Sequence, residues 1–209
     1  METLSSGIQY RHWPAQQAKA CILLIHGLAE HTGRYERLAA YFNARNIAVV
    51  GPDHIGHGAS PGTRAYVAQF SEYLAPLIEL RDAMTGWYPD TPAFMLGHSM
   101  GGLIAAHLLL QDAQSYRGAM LSAPAFSADE AVSPVTLWLG RLLRAVMPKI
   151  GMMSLEADQI SRDPAVVADY IADPLVYNGK ITAAVGMELL SAMGDAIVGA
   201  QHITLPIYI

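Results

Sequence analysis

The sequence has little cysteine, little positive charge and no long hydrophobic run. Cys21 is the single cysteine among the 209 residues, so no disulfide can form within the chain. We expect its thiol to be buried and inert. The formal net charge is −5, without a basic cluster, which argues against nucleic-acid binding. The apolar runs, such as ACILLI at 20–25, are much shorter than the roughly 20 residues of a membrane span. With no secretory signal pattern at its start, the sequence indicates a cytoplasmic protein.

Short apolar runs alternate instead with longer segments of helical periodicity. The apolar runs predict strands at 8–13, 20–26, 46–51, 92–97, 117–122 and 204–209. The periodic segments predict helices at 34–45, 66–87 and 99–111. This alternation predicts an α/β fold with a mostly parallel central sheet and helices on both of its faces. Because only helical patterns follow Pro124, we expect a core at 1–124, a helical cap inserted at 125–203, and a resumed core strand at 204–209.

The pattern G-x-S-x-G occurs twice, around Ser60 and around Ser99. Ser60 lies in a loop and precedes Pro-Gly, which begins a turn rather than a helix. Ser99 directly follows an apolar run and precedes the helical segment GGLIAAHLLL, which is the strand–turn–helix order of a nucleophile elbow. Gly97 and Gly101 leave room for so sharp a turn. We therefore predict that Ser99 is a nucleophile and that Ser60 is structural.

A nucleophilic serine needs N–H donors for the oxyanion that forms when it attacks an ester carbonyl. The backbone N–H of Met100, which follows the nucleophile, is expected to be one donor. The loop at 26–35 follows an earlier strand and is expected to supply the other through the N–H of Leu28. Read alone, the His26-Gly27 pair in this loop could equally be an ordinary turn between a strand and a helix.

Five segments occur in the order and spacing of one enzyme family: HGLAEHTGRY, GPDHIGHGAS, GHSMGG, LSAP and ADYIADPLVY. Through them, over about residues 8–209, the sequence resembles the monoacylglycerol lipases and related lysophospholipase-like α/β-hydrolases. The resemblance implies cleavage of one fatty-acyl ester from glycerol or a similar polar head, without a metal or an organic cofactor. It also implies Ser99 as the nucleophile and Leu28 and Met100 as oxyanion donors. The glycerol pocket that it implies is lined by Glu30, Arg34 and Tyr170.

Read without the resemblance, the three pocket residues have simpler interpretations. Glu30 and Arg34 are four residues apart near a helix start, where an ordinary ion pair can form. Tyr170 could merely cover the cap with its ring. The residues alone leave these alternatives open.

The loop PDHIGHG contains Asp53, His54 and His57, which are residue types that bind metals. They lie in one loop, and the sequence has no strong zinc motif such as H-E-x-x-H. We expect this loop to shape the cleft through hydrogen bonds rather than to bind a metal.

The segment 133–149 (SPVTLWLGRLLRAVMPK) is an apolar helical pattern with Arg141, Arg144 and Lys149 between its apolar residues. Such a helix could form the roof of an acyl-chain tunnel, lie on a membrane with its cations towards lipid phosphates, or pack entirely inward. We expect a partly exposed, lipid-facing edge and hence peripheral contact with a membrane surface.

A serine nucleophile also needs a base and an acid, which in this fold follow it in the order Ser, Asp or Glu, His. We expect His107, two turns along the nucleophile helix, and His202, which precedes the last strand, to be structural. The candidate acids belong to the insertion: Asp129, Asp158, Asp163, Asp169, Asp173 and Asp195. We therefore expect the natural protein to continue beyond Ile209 by roughly 50 to 80 residues, at about 30 residues per βαβ unit, and residues 1–209 alone to be inactive.

Two classes of function follow from these features. The first is a serine hydrolase that cleaves the ester of a monoacylglycerol or similar single-chain lipid through an acyl-enzyme on Ser99. A carboxylesterase, a thioesterase, a lysophospholipase or a peptidase is a variant of it. The second is a non-catalytic lipid-binding relative that kept the elbow and the cap. The intact elbow favours the enzyme.

Overall fold

The computed structural model describes residues 1–127 and 134–209. Asp129 and the first residue of the predicted cap helix, Ser133, lie outside the described residues. The described residues form these strands: β1 (Glu2–Thr3), β2 (Gln9–Trp13), β3 (Ala20–Ile25), β4 (Ile47–Pro52), β5 (Ala93–His98), β6 (Ala119–Ser122), β7 (Gly151–Ser154), β8 (Lys180–Thr182) and β9 (Ile207–Tyr208). They form these α-helices: α1 (Glu36–Asn43), α2 (Leu74–Trp87), α3 (Met100–Asp112), α4 (Pro134–Val146), α5 (Pro164–Ala172) and α6 (Ala183–Gly199).

The central sheet has the strand order β1-β2-β4-β3-β5-β6-β9 over the described residues. The β1–β2 and β2–β4 pairs are antiparallel, and the other pairs are parallel. Parallel neighbours need a crossover connection, and α1, α2 and α3 provide them within the described part. The prediction of an α/β fold with a mostly parallel sheet is confirmed.

The apolar run ACILLI forms the centre of this sheet because both faces of β3 are buried. Successive side chains of a strand point to opposite faces. Leu23 and Ile25 pack in the cluster that contains α2 and α3, whereas Ile22 and Leu24 pack in a second cluster with Ala39 of α1. A strand covered by helices on both faces needs apolar residues at every position, which is the pattern that the sequence shows.

Two expectations about secondary structure are wrong. The helix predicted at 66–87 begins only at Leu74, after a short 3-10 helix at Phe70–Tyr73, because Gln69 is extended and caps that turn together with Glu72. The insertion at 125–203, predicted to be helical, contains the antiparallel β7–β8 pair. These strands have four and three residues, too few to show a periodicity in the sequence.

The last helix of the insertion packs with the core. Helix α6 contacts α3, and its residues Val185 and Leu189 belong to the same buried cluster as Leu23. The division of the chain into core and cap domains stays a prediction. Among the described residues, 183–202 is the one segment long and apolar enough to cross a membrane by length and composition, a criterion that a core helix also meets.

Candidate active site

Ser99 lies at the turn between the end of β5 and the start of α3. Its backbone has φ 51° and ψ −119°, in a region that residues other than glycine rarely adopt. The surrounding backbone holds this conformation: the Ser99 N–H donates to the carbonyl of Ser122 at 3.0 Å, and its carbonyl accepts from Gly102 at 2.9 Å and from Ala125 at 3.1 Å. Such strain persists only where neighbouring structure over-determines it, and it is typical of functional sites.

The two glycines of the elbow are required by close packing. A Cβ atom at Gly97 would lie 2.5 Å from the carbonyl oxygen of Gly101, which is below any normal contact. A Cβ atom at Gly101 would collide with the carbonyl oxygen of Ile25 in β3. Helix α3 therefore starts directly against the strands that precede the predicted nucleophile and the predicted oxyanion loop.

The loop after β3 borders Ser99. A Cβ atom placed on Gly27 would lie 3.4 Å from the Cβ of Ser99. Within residues 1–127 and 134–209, no acceptor takes up the amide N–H of Leu28 or of Met100. The N–H of Met100 also lies at the N-terminus of α3, where the helix dipole favours negative charge. Both predicted oxyanion donors are thus without an acceptor among the described residues.

The structure brings the three predicted pocket residues together. The Arg34 Nε donates to Glu30 Oε2 at 3.2 Å, and the Arg34 guanidinium lies 4.5 Å from the ring centroid of buried Tyr170. The sequence did not indicate two further bonds of Glu30: its Oε1 accepts from the Gly27 N–H at 2.7 Å and from the Tyr35 hydroxyl at 2.6 Å. Burial and the Glu30 carboxylate raise the pKa of Tyr35, so this hydroxyl stays a donor.

A cleft of about 700 Å³ adjoins this cluster, within the range of small-molecule sites. Its polar lining is Glu30, Arg34, Tyr35, His98 and Ser122. Its apolar lining includes Leu38, Leu96, Met120 and Tyr208. A cleft lined by both polar and apolar side chains suits an amphiphilic ligand.

Ser60 has the bonding of a structural residue. Its side chain is buried, and its hydroxyl accepts from the Gln9 N–H at 2.9 Å and donates to the Asp53 carbonyl at 2.6 Å. Both interactions tie the loop to the sheet, and the hydroxyl is occupied.

The polar side chains of the PDHIGHG loop bond inside the protein: His54 Nε2 and His57 Nδ1 bond to the carbonyls of His26 and Ile55, while the buried Nε2 of His57 has no partner among the described residues. Asp53 accepts from the N–H and the hydroxyl of Thr32, at 2.9 Å and 2.5 Å, and from the Ala59 N–H at 2.9 Å. Burial lowers the pKa of His54 to about 3 and that of His57 to about 4, so both are neutral near pH 7. The described residues contain no group of three or more side chains that could hold a metal ion.

Two contacts that connect the predicted oxyanion loop to the insertion were not predicted. His31 Nε2 lies 2.9 Å from Asp173 Oδ2, and the Tyr177 N–H donates to the Ala29 carbonyl at 2.8 Å. Burial alone would raise the pKa of Asp173, but the hydrogen bond with His31 and the one from the Leu175 N–H lower it overall. Spacing gives no signal for such a pair, because 142 residues separate its members.

Within the described residues, no histidine and no carboxylate makes a hydrogen bond to the Ser99 hydroxyl. His107 Nε2 donates to the Ala192 carbonyl at 2.8 Å, and His202 is exposed in the short 3-10 helix after α6. Of the described candidate acids, Asp163 caps α5 and Asp173 pairs with His31. The other described candidates, Asp158, Asp169 and Asp195, make no bond to the site.

A mostly parallel sheet, a strained serine at a strand–turn–helix elbow and unpaired N–H groups beside it define an α/β-hydrolase. The chain belongs to the family described as serine aminopeptidase, S33, which matches residues 16–209. The expectation from the sequence motifs is confirmed by relatives at or above 30% identity that are monoacylglycerol lipases.

Three similar proteins illustrate this. The monoacylglycerol lipase of Mycolicibacterium smegmatis is 36% identical over 203 residues, which are 97% of this chain and 72% of that protein. The monoglyceride lipase of Rattus norvegicus is 32% identical over 198 residues, 94% of this chain and 65% of that protein. The crystal structure of Paleococcus ferrophilus monoacylglycerol lipase matches with a TM-score of 0.84 and 27% identity, covering 99% of this chain and 76% of that one. The chain therefore spans about two thirds to three quarters of the length of these proteins.

Proposed function

We propose that the complete protein is a serine hydrolase that cleaves the ester of a monoacylglycerol or similar single-chain lipid. The observation that carries this proposal is Ser99, strained at the elbow beside the unpaired N–H groups of Leu28 and Met100. The substrate class is supported by the names of the relatives and by a cleft lined by both polar and apolar residues.

In the proposed reaction the Ser99 hydroxyl attacks the ester carbonyl, and the two N–H groups bind the oxyanion that forms. The acyl group is then transferred to Ser99 with loss of the alcohol, and water releases the fatty acid. The polar head would lie near Arg34 and Tyr170. The first step needs a base for the hydroxyl proton, a role that no described histidine fills, so the activity is proposed for the complete gene product.

Paired serine variants of the complete gene product test this proposal. A fluorophosphonate probe should label the wild-type protein and Ser60→Ala but not Ser99→Ala. Hydrolysis of monoacylglycerol should fall on the order of 10⁴-fold in Ser99→Ala and persist in Ser60→Ala. Equal loss in the two variants would contradict the choice of Ser99. Binding of monoacylglycerol without labelling or hydrolysis would instead identify a non-catalytic lipid-binding protein.

A substrate series separates the enzyme variants. Monoacylglycerols of increasing chain length should be hydrolysed faster than a short acetate ester, because a longer acyl chain buries more apolar surface against the apolar side chains of the cleft. An aminoacyl p-nitroanilide should be a poor substrate, although the family description names an aminopeptidase. Comparable turnover of the acetate ester and the long-chain monoacylglycerol, or faster turnover of the anilide, would contradict the lipid substrate.

Peripheral contact with a membrane through the cap is the second part of the proposal. In α4, Trp138, Leu142 and Val146 are spaced four residues apart and therefore lie on one face of the helix. Trp138 is 64% exposed to solvent and Val146 is 70% exposed. Arg141 and Lys149 are exposed near them. Exposed apolar residues with neighbouring cations are typical of helices that lie in a lipid interface. We propose a cytoplasmic enzyme that binds membranes reversibly.

Vesicle flotation tests this surface. Trp138→Ala should bind phosphatidylglycerol vesicles more weakly than the wild-type protein at an unchanged melting temperature. Val198→Ser, which removes an apolar side chain that is 72% exposed on α6, is the matched control and should bind like the wild type. Equal flotation of Trp138→Ala and the wild type, or a wild type found entirely in the soluble cell fraction and off vesicles, would contradict membrane contact.

A further inference from the structure

The peptide between Gly27 and Leu28 carries the N–H that would bind the oxyanion. Two side chains make hydrogen bonds to the backbone at this point, one to this peptide and one to the peptide before it. His26 Nδ1 lies 2.7 Å from the carbonyl oxygen of Gly27, which belongs to this same peptide. The N–H of Gly27, one peptide earlier, donates to Glu30 Oε1 at 2.7 Å. We propose that His26 and Glu30 are positioning residues that orient the Leu28 N–H for oxyanion binding.

The hydrogen bonds determine which nitrogen of His26 carries the proton. His26 Nε2 lies 3.0 Å from the backbone nitrogen of His54, whose N–H can only donate. Nε2 is therefore the unprotonated acceptor, and Nδ1–H must donate to the Gly27 carbonyl. His54 Nε2 in turn donates to the His26 carbonyl at 3.1 Å, so the two residues hold each other. His26 is fully buried, and burial together with nearby His54 and His57 lowers its pKa well below the ordinary value, which preserves the neutral ring.

Holding the Gly27 carbonyl also fixes the direction of the Leu28 N–H. In a trans peptide the C=O and N–H groups lie in one plane and point in opposite directions. The bond to His26 on one side therefore directs the Leu28 N–H to the other side. Gly27 itself rotates more freely than other residues, and a Cβ at this position would lie 2.9 Å from Glu30 Oε1, so that the Glu30 side chain would have to shift. The hydrogen bonds from His26 and to Glu30 restrict the backbone rotation that a glycine would otherwise allow.

The Glu30 carboxylate accepts hydrogen bonds from residues of its own loop. Its Oε1 accepts from the Gly27 N–H and the Tyr35 hydroxyl, and its Oε2 accepts from Arg34. The residue is buried, and both oxygens have partners inside the protein. Its chief role is then to hold the oxyanion loop, whereas Arg34 and Tyr170 remain for the polar head. This inference rests on the proposed function of Ser99.

Two substitutions of His26 separate its bonds. An asparagine places an amide N–H near the position of Nδ1, so His26→Asn keeps the donor to the Gly27 carbonyl. A glutamine reaches the position of Nε2, so His26→Gln keeps the acceptor for His54 and loses the bond to Gly27. With p-nitrophenyl butyrate and the complete gene product, we expect kcat to fall on the order of 10²-fold in His26→Gln, with little change in KM, and markedly less in His26→Asn.

A trifluoromethyl ketone with a butyl chain adds a readout that a merely structural role would not change. It forms an oxyanion on Ser99, whereas the matching ether does not. His26→Gln should bind the ketone more weakly by the factor lost in kcat and should bind the ether like the wild type. Equal kcat values of His26→Gln and His26→Asn, or equal weakening for ketone and ether, would overturn the proposal. Ester hydrolysis that persists in Ser99→Ala would instead overturn the proposed function.

Glu30 supplies a second test if the His26 variants fold poorly. Glu30→Gln keeps an oxygen for the Gly27 N–H, whereas Glu30→Ala removes it. A positioning role predicts that Glu30→Ala lowers kcat more than Glu30→Gln does, with the loss again in binding of the ketone. A rise in KM alone, equal in both variants and specific to glycerol esters, would show that Glu30 binds the head group and would overturn its positioning role.

Discussion

A single methyl group at Gly101 should push the nucleophile helix away from the sheet. The three atoms nearest to a Cβ at this position are backbone atoms, two of Ile25 and the carbonyl oxygen of His26, and none can rotate away. Overpacking of this kind costs about 3 kcal/mol, and the better helix propensity of alanine offsets about 1 kcal/mol. Gly101→Ala should therefore lose about 2 kcal/mol of stability, a melting temperature lower by about 4–8 °C for a chain of this size.

The same substitution at Gly194 is the matched control. Gly194 lies inside α6, and a Cβ there would meet no atom within 4 Å. Gly194→Ala should therefore gain up to about 1 kcal/mol, with a melting temperature higher by about 2–4 °C. Thermal unfolding followed by far-ultraviolet circular dichroism measures both changes. A melting temperature of Gly101→Ala at or above that of the wild type would refute the close packing of α3 against β3.

The remaining predictions concern loops and pH. Ser60→Ala should lose about 1–2 kcal/mol, measured by calorimetry, because it leaves the part-buried Gln9 N–H without its acceptor and the buried Asp53 carbonyl without a donor; an unchanged stability would contradict this. Because the pKa values of His54 and His57 are lowered to about 3 and about 4, the unfolded chain binds more protons below pH 6.5. The free energy of unfolding in urea should then fall from about pH 6.5 towards about pH 4, and a flat profile would count against the buried neutral rings. The lowered pKa of Asp173 beside His31 stabilises the fold above about pH 3.9, and this contribution is lost in acid. Asp173→Asn should thus be less stable than the wild type near pH 7 by a difference that shrinks in acid, which parallel urea titrations would reveal.

The parts of the fold that could be predicted are those whose burial produces a pattern of apolar residues in the sequence. Strand β3, predicted at 20–26, is Ala20–Ile25, because a strand buried on both faces needs an unbroken apolar run. Strand β7 is exposed along its whole length and is held by pairing with β8, some 25 residues further on. Neither burial nor periodicity marks it, so the sequence could not predict it.

The same distinction applies to the site. The place of Ser99 at a turn between a strand and a helix was predictable because an elbow is local: one pentapeptide, with a strand before it and a helix after it. The pairing of Glu30 with Arg34 follows from their spacing, but the bond from Gly27 depends on a turn in which Ala29 adopts φ 66°. The contact of His31 with the insertion depends on the tertiary fold, which no local pattern encodes.

The proposed nucleophile and the oxyanion loop leave neighbouring parallel strands, paired where Ile25 lies beside Gly97. Their separation is thus set by the spacing between hydrogen-bonded strands, about 4.8 Å, which varies little from sheet to sheet. Amides in the centre of such a buried pair exchange with deuterium only through global unfolding, whereas exposed segments open at much lower free energy. The exposed β7 can therefore open and close many times within the lifetime of one intact β3–β5 pair, and each opening leaves the spacing of the proposed catalytic groups unchanged.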